Sequence, residues 1–419
     1  MPNSASKASD PVTFHPAELD SASLNAQHPE QVVAQILEAA VVQHASDVFF
    51  LSESDGLTAA LRQWGMVRPI VKLNREKGRQ CISVIKAQAG MDIAEKRRPL
   101  DGRWIQRIAN QQVDLRINII PTLFGEDLTL RILSRETKLI ELGELGMTQR
   151  NINEVRAILE SPSGLILVSG PTGTGKTTTL YTCLRMLHNG RRKLNTIEDP
   201  IEYAISGIRQ SQVNPKIGVE FPDLLRSILR QAPDVIMIGE IRDAETAVTA
   251  VRAANSGHLV LATLHAPIAA GAIQSLLALG VHPHFLSTSL LGIVAQRLVR
   301  KLCPHCKHEF DLTDSPQTFS EVRHLLEEGQ GRVMYGPQGC ERCYGDGYRD
   351  RTGVFEVMTF DRTLRHMISD GKSTREIEAK AVEQGMVEFR RAALLKVAQG
   401  VTSTEEVLRA VPVEYLGID

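Results

Sequence analysis

Eight consecutive residues, Gly170, Pro171, Thr172, Gly173, Thr174, Gly175, Lys176 and Thr177, combine three glycines, an ammonium and three threonine hydroxyls. Their order is the G-x-x-x-x-G-K-[ST] of a phosphate-binding loop. Glycines at 170, 173 and 175 let the backbone curl with its N–H groups pointing inward, around phosphate oxygens. Lys176 has the reach for β- and γ-phosphates, and the Thr177 hydroxyl suits a Mg²⁺ coordination sphere. Thr178 continues the helix that opens there, whose positive dipole end favours anions. A nucleoside triphosphate with Mg²⁺ is the expected ligand.

Three further segments end in groups that could work on such a phosphate. Asp234–Asp243 (DVIMIGEIRD) is an apolar run ending in Glu240, and Thr196–Tyr203 (TIEDPIEY) ends in Glu198, Asp199 and Glu202. Acids at strand ends lie at the edge where α/β sheets bind ligands, and they suit two jobs: holding Mg²⁺ and polarising an attacking water. Either Glu198 or Glu240 can take either job on this reading. The third segment, Leu261–Val281, carries Thr263 and His265 just after an apolar run. A lone histidine there is ordinarily a core residue, but its place at the same sheet edge favours a γ-phosphate contact.

Cys303–Cys306 (CPHC) and Cys340–Cys343 (CERC) are two CxxC pairs. Each offers two thiolates at tetrahedral spacing, so a closed, structural Zn²⁺ site is expected. A redox pair is the alternative, without a thioredoxin-like βαβ context to support it. Cys81 and Cys183 lie in apolar helical stretches and read as core.

The elements that must position these groups follow from periodicity. Residues 1–28, rich in Ser and Pro with few apolar residues, read as a disordered arm. Residues 29–135 read as an α+β domain. Helix-like spacing covers Gln31–Ala45 and Cys81–Ala89; strands are expected at Asp47–Leu51, Val67–Leu73, Val113–Ile120 and Leu128–Leu133. Residues 136–146 read as a hinge. From 147 to 300 strands (Leu165–Ser169, Lys193–Glu198, Val235–Ile238, Leu259–Thr263) alternate with helices (Thr177–Leu187, Pro222–Arg230, Ala244–Ala254). That alternation predicts a parallel sheet with helices on both faces. Residues 301–355 form the cysteine-bearing insert, and 356–419 a helical part.

Composition is that of a soluble globular protein, 42% hydrophobic and 23% charged over 419 residues. The net charge of −1 gives no basic field for nucleic acid. No apolar run reaches the ~20 residues of a membrane-spanning helix, and the N-terminal stretch lacks a signal-peptide core. A cytoplasmic protein without direct membrane insertion is expected.

The ordered set, P-loop, TIEDPIEY, APDVIMIGEIRD, LATLHA and the CPHC/CERC pairs, closely resembles the GspE, PulE and PilB ATPases of type II secretion and type IV pilus assembly. The resemblance runs from about Ala45 to Val411. It implies a RecA-like ATPase domain behind a small PAS-like α+β (N2) domain, with the larger N-terminal docking domain of the family lacking here. It places Glu198, Asp199 and Glu202 in an Asp box, Glu240 in the Walker B motif, and Thr263 and His265 in a His box. The segment VDLRINIIPTLFGEDLTLRIL then offers Arg116 and Arg131 as N2 arginines that contact the triphosphate, and guanidinium forks suit that task. It further implies a homo-hexamer, an inner-membrane platform protein as partner, and a peripheral place at the inner face of the cytoplasmic membrane. Departures are also present. The family's His-Thr-Asn-Asp continuation is here His265, Ala266, Pro267, Ile268, and Ser275 replaces an Arg. The Ser-Asp-Ile-His pattern becomes Ser46–Phe49, and Arg-x-Asp-Gly becomes Arg62, Gln63, Trp64, Gly65. The alternatives are an ATP-binding scaffold with weak hydrolysis and a RecA-like nucleic-acid motor.

Overall fold

Period-two alternation builds the first of two units. The computed structural model describes residues 19–134, 140–315 and 317–417, and the chain divides into units Met1–Thr137 and Lys138–Asp419. The first unit holds helices α1 (Ser21–Ala26), α2 (Pro29–Val42) and α3 (Arg75–Gln88). Its strands are β1 (Asp47–Glu53), β2 (Gly56–Gln63), β3 (Met66–Leu73), β4 (Leu100–Ile108), β5 (Gln111–Thr122) and β6 (Gly125–Ser134). They form an antiparallel sheet of order β3-β2-β1-β6-β5-β4. Val48, Phe50, Leu115, Ile117 and Leu130 point to one face, where Val33, Ile36 and Leu37 of α2 and Ile82 and Ile85 of α3 complete a core. The opposite set of side chains includes a row in direct cross-strand register: Arg103, Arg116, Arg131, Asp47, Arg62.

The second unit alternates as expected and then departs. In chain order it contains α4 (Gln149–Leu159), β7 (Gly164–Ser169), α5 (Lys176–Leu187), β8 (Leu194–Glu198), β9 (Arg209–Gln212), α6 (Phe221–Leu229) and β10 (Val235–Ile238). Next come α7 (Ala244–Asn255), β11 (Leu259–Leu264), α8 (Ala269–Ala278), α9 (Pro283–Ser289) and β12 (Leu290–Leu302). The last elements are β13 (His308–Asp311), β14 (Val333–Gly336), β15 (Tyr348–Thr359), α10 (Arg362–Ser369), α11 (Thr374–Glu383), α12 (Phe389–Ala398) and α13 (Thr404–Ala410). The main sheet has order β15-β12-β7-β11-β10-β8-β9 and is parallel except for β15. Ile166 and Val168 of β7 face the core under α4 and α5, while Leu165 and Leu167 face the core under α6, α7 and α8. The sheet is thus covered on both sides, as parallel sheets require.

Three boundaries differ from expectation. Part of the arm is a helix: the Asp20 carboxylate caps α1 by accepting from Ala22 N and Ser23 N, and Leu24 is buried in the first core. Residues 1–18 of that arm lie outside the described residues. The rear half of the hinge belongs to the second unit. Leu142 is buried, Leu145 O accepts from Gly353 N (2.8 Å), and Lys396 Nζ donates to Gly146 O (2.6 Å); residues 135–139 lie outside the description. Finally, β12 and β15 cross the expected limits at 300 and 355. The cysteine insert therefore emerges from two strands of the main sheet rather than beside it.

Candidate nucleotide site and four-cysteine cluster

Strand β7 ends at Ser169 and the phosphate loop leads into α5. Gly170 and Gly175 adopt φ of 145° and 84°, and Gly175 is the N-cap of α5. A Cβ on Gly170 would lie 2.5 Å from Gln296 O, so only glycine lets the loop pass this close to β12. The loop is tied internally: Thr174 Oγ1 donates to Pro171 O (2.9 Å), and Lys176 Nζ donates to Gly170 O (2.7 Å) and Pro171 O (3.0 Å). Thr172 and Gly173 form its exposed tip, and Thr177 and Thr178 are half-buried in the first turn of α5. Burial pulls the Lys176 ammonium below its ordinary pKa, and the Glu240 carboxylate opposes that shift.

The ends of β8, β10 and β11 bring Glu240, Thr263, His265 and Asp199 to one sheet edge. Glu240 Oε1 lies 2.6 Å from His265 Nε2, and its Oε2 accepts from Arg242 Nε (2.7 Å). Arg242 Nη1 also lies 3.7 Å from Asp199 Oδ2, which holds the guanidinium above its ordinary pKa together with Glu240, the larger cause. The edge is locked from below: Thr263 Oγ1 donates to Gly239 O (2.5 Å), Ile241 N to Thr263 O (3.0 Å), and Gly239 N to Ile197 O (2.7 Å). Glu202 is exposed.

Glu198 stands apart from this group. It is 2% exposed and points under α5, where Tyr181 Oη, Thr196 Oγ1 (2.5 Å) and Gln210 Nε2 (3.1 Å) donate to its carboxylate. Burial raises its pKa and those three hydrogen bonds oppose the rise. The two glutamates that the sequence left interchangeable therefore occupy different environments. Period two explains why: Thr196 and Glu198 share the α5 face of β8, whereas Ile197 faces the other core.

Arg116 and Arg131 are direct cross-strand partners on β5 and β6. Arg131 Nε donates to Asp47 Oδ1 (3.1 Å), Arg62 lies 3.5 Å from the same carboxylate, and Arg103 Nε donates to Asp114 Oδ1 (2.8 Å). The sequence reading missed Arg103, Arg242, Tyr181, Gln210 and Gln296. Arg242 stood within the quoted acidic motif. The others become visible only through cross-strand register or through burial.

The Sγ atoms of Cys303, Cys306, Cys340 and Cys343 all lie within 4.8 Å of one another. Cys303–Cys340 is 3.9 Å, and Cys306–Cys343 and Cys340–Cys343 are each 3.7 Å. A tetrahedron with Zn–S bonds of ~2.3 Å has edges of about 3.8 Å, so the donor set fits zinc. Cys343 Sγ also accepts from Cys340 N (3.1 Å) and Gly347 N (3.2 Å), which fix its orientation in the cluster. Cys81 and Cys183 are buried as expected, and burial pushes both thiols up to about 12.

The family model described as "Type II/IV secretion system protein" matches residues 23–409. The chain belongs to this family. It is 42% identical over 379 residues to a type II secretion system protein E of Dickeya dadantii, covering 90% of this chain and 75% of that one. It is 40% identical over 404 residues to the type IV pilus assembly ATPase PilB of Thermus thermophilus, covering 96% of this chain and 45% of the longer relative. In fold it resembles the Legionella pneumophila ATPase DotB, with a TM-score of 0.66 at 21% identity over 95% of this chain and 96% of that one. With a built phosphate loop in this family, the secretion-family member is an ATPase. Among the described residues no helix is long and apolar enough to cross a membrane.

Proposed function

We propose that this ATPase works as a Mg²⁺-dependent homo-hexamer that powers assembly of type IV pilus or type II secretion pseudopilus subunits. It would act at the inner face of the cytoplasmic membrane through a platform protein. The observation that carries the reading is that the phosphate loop after β7 and the Glu240–His265–Arg242 group after β10 and β11 lie at the same end of one parallel sheet, in a chain of the secretion family.

The loop N–H groups, Lys176 and the first turn of α5 bind the triphosphate and orient its γ-phosphoryl group. The Thr177 hydroxyl and Glu240 are the residues that would hold Mg²⁺, which when bound neutralises charge on the β- and γ-oxygens. Glu240 is also the candidate base: a carboxylate oxygen released when His265 or Arg242 turns to the γ-phosphate, and not given to Mg²⁺, can take a proton from an attacking water. Thr263 fixes the backbone that carries Glu240. Asp199 competes for Arg242 and so tunes its release. Arg116 and Arg131 supply guanidinium charge to the transferring phosphoryl group in the assembled ring. The four cysteines would hold a closed structural Zn²⁺ that fastens the insert.

Phosphate release measured with Mg²⁺ and with EDTA, across a protein dilution series, tests this reading. Mg²⁺-dependent turnover that rises steeply with concentration is expected. Turnover per chain that stays flat on dilution would remove the ring from the proposal.

A further inference from the structure

We infer that Gln296 is a positioning residue of the phosphate loop, an inference that rests on the nucleotide reading above. Strand β12 pairs with β7 through Ala295↔Ser169, the last rung before the loop begins. Gln296 is thus the first residue past the β7 ladder: on that side it faces the loop, while on the other β12 stays paired with β15 through Gln296↔Phe355. Its main chain already shapes the loop, since its carbonyl leaves no room for a Cβ at Gly170. Its side chain is 2% exposed and uses both ends of the amide. Nε2 donates to Thr174 O (2.6 Å), and Oε1 accepts from Thr179 Oγ1 (2.8 Å) on α5.

The first bond fixes a peptide plane. In a trans peptide the carbonyl and the following N–H point in opposite directions. Holding Thr174 O toward β12 therefore aims the Gly175 N–H away from β12, ready to donate to a phosphate. The second bond fastens the same amide to the first turn and a half of α5, the helix whose N-terminus carries Lys176 and Thr177. Only glutamine meets both demands at this reach. Leucine has the volume without the polar ends, glutamate lacks the donor, and asparagine is a methylene short. Because the aimed N–H serves ground state and transition state alike, its loss removes uniform binding, so KM rises while kcat is retained.

The test uses the full chain with fluorescent MgADP and steady-state MgATP hydrolysis, on Gln296→Leu, Thr179→Val, Thr179→Ser and the loop control Lys176→Ala. For Gln296→Leu the expected MgADP affinity is at least ~10-fold weaker, with KM for ATP raised similarly and kcat within about 3-fold. Thr179→Val should weaken binding a few-fold, Thr179→Ser should match the parent because it keeps the hydroxyl, and the Leu/Val double variant should be no worse than Gln296→Leu alone. A variant that merely lost fold would lower kcat with KM unchanged. Thr179→Val keeps the question open to test should Gln296→Leu fold poorly. Parental MgADP affinity and KM in folded Gln296→Leu and Thr179→Val overturn the inference while leaving the nucleotide site standing. Equal weakening by Thr179→Ser and Thr179→Val overturns it too, since packing would then be the cause. If the parent and Lys176→Ala alike bind no MgADP, the nucleotide reading falls first and takes this inference with it.

Discussion

Replacing each of the two buried-strand glutamates by glutamine should give opposite phenotypes. Glu240 is 15% exposed at the sheet edge and lies in the electrostatic reach of Lys176. Removing a general base or metal ligand there should slow hydrolysis ~10²–10⁴-fold, roughly 3–5 kcal/mol of barrier, with ATP affinity nearly kept. Glu198 faces three donors and no solvent. The amide of Glu198→Gln has nearly the same shape, and the Tyr181 and Thr196 hydroxyls can rotate to accept from it. Charge-assisted bonds are weakened, but a buried charge is removed as well.

The sign of that second effect follows from the raised pKa of Glu198. A carboxyl whose folded pKa exceeds its unfolded one binds protons better when folded. It favours the fold most at low pH, and its ionisation weakens the fold as pH rises from the unfolded value through the folded one. Glutamine escapes that penalty, so at pH 8 Glu198→Gln should lie within about 1 kcal/mol of the parent, with turnover within ~3-fold. Glu198→Ala instead leaves the buried Tyr181 Oη and Thr196 Oγ1 without the acceptor they share, while Gln210 Nε2 keeps Tyr203 O (3.1 Å). It should cost ~2–4 kcal/mol, a fall of about 5–10 °C in Tm. Phosphate release and thermal denaturation on the same preparations read both quantities. A Glu198→Gln variant that keeps the parental Tm but loses ~100-fold in kcat, beside an active Glu240→Gln, would refute the assignment of chemistry to Glu240.

Lys176→Ala should abolish hydrolysis with Tm unchanged, since it removes charge from the phosphates and nothing from a core; near-parental turnover would dismiss the loop as the ATP site. Arg116→Ala and Arg131→Ala should bind ATP as the parent does yet hydrolyse it at least ~10-fold more slowly, and full activity in both would remove them from the mechanism. Protein purified without chelators should carry about one zinc per chain, and Cys303→Ser or Cys343→Ser should lose it and expose 301–355 to proteolysis; metal analysis that finds none rejects the zinc assignment. Glu356 accepts from Ala269 N and Phe389 N at the starts of α8 and α12, and burial raises its pKa to about 7. By the same sign, stability should fall by roughly 3 kcal/mol between pH ~4.5 and ~7, and Glu356→Gln should flatten that part of the urea-midpoint profile.

What the sequence could carry and what it could not divide along one physical line. Motifs whose function is in the backbone were legible: the glycines of the phosphate loop, the strand–turn–helix around them and the CxxC pairs each encode local geometry, and the structure builds each one. Long apolar runs also announced β7, β10 and β11, because a strand buried on both faces needs no alternation. Strands β2 and β4 and the long pair β12 and β15 escaped. Arg62 interrupts the apolar pattern of β2, and Gln296, Arg297, Arg300 and Lys301 that of β12, and each of those polar groups meets a partner from another element. Arg300 is the clearest instance. It is nearly buried, its Nε donates to Glu406 (2.8 Å), its Nη1 to Asp346 (2.8 Å), and its guanidinium lies 4.0 Å over the Tyr348 ring. A buried arginine is tolerated only where such partners converge, so its burial is a property of the assembled sheet and not of the LVRKL segment. The same holds for Glu198 against Glu240. Both end apolar strands, and both read as edge carboxylates. Glu198 is the last residue of β8, so period two sends its side chain beneath α5, whereas Glu240 lies two residues past the end of β10, off the pleat, and its carboxylate meets His265 and Arg242 at the sheet edge.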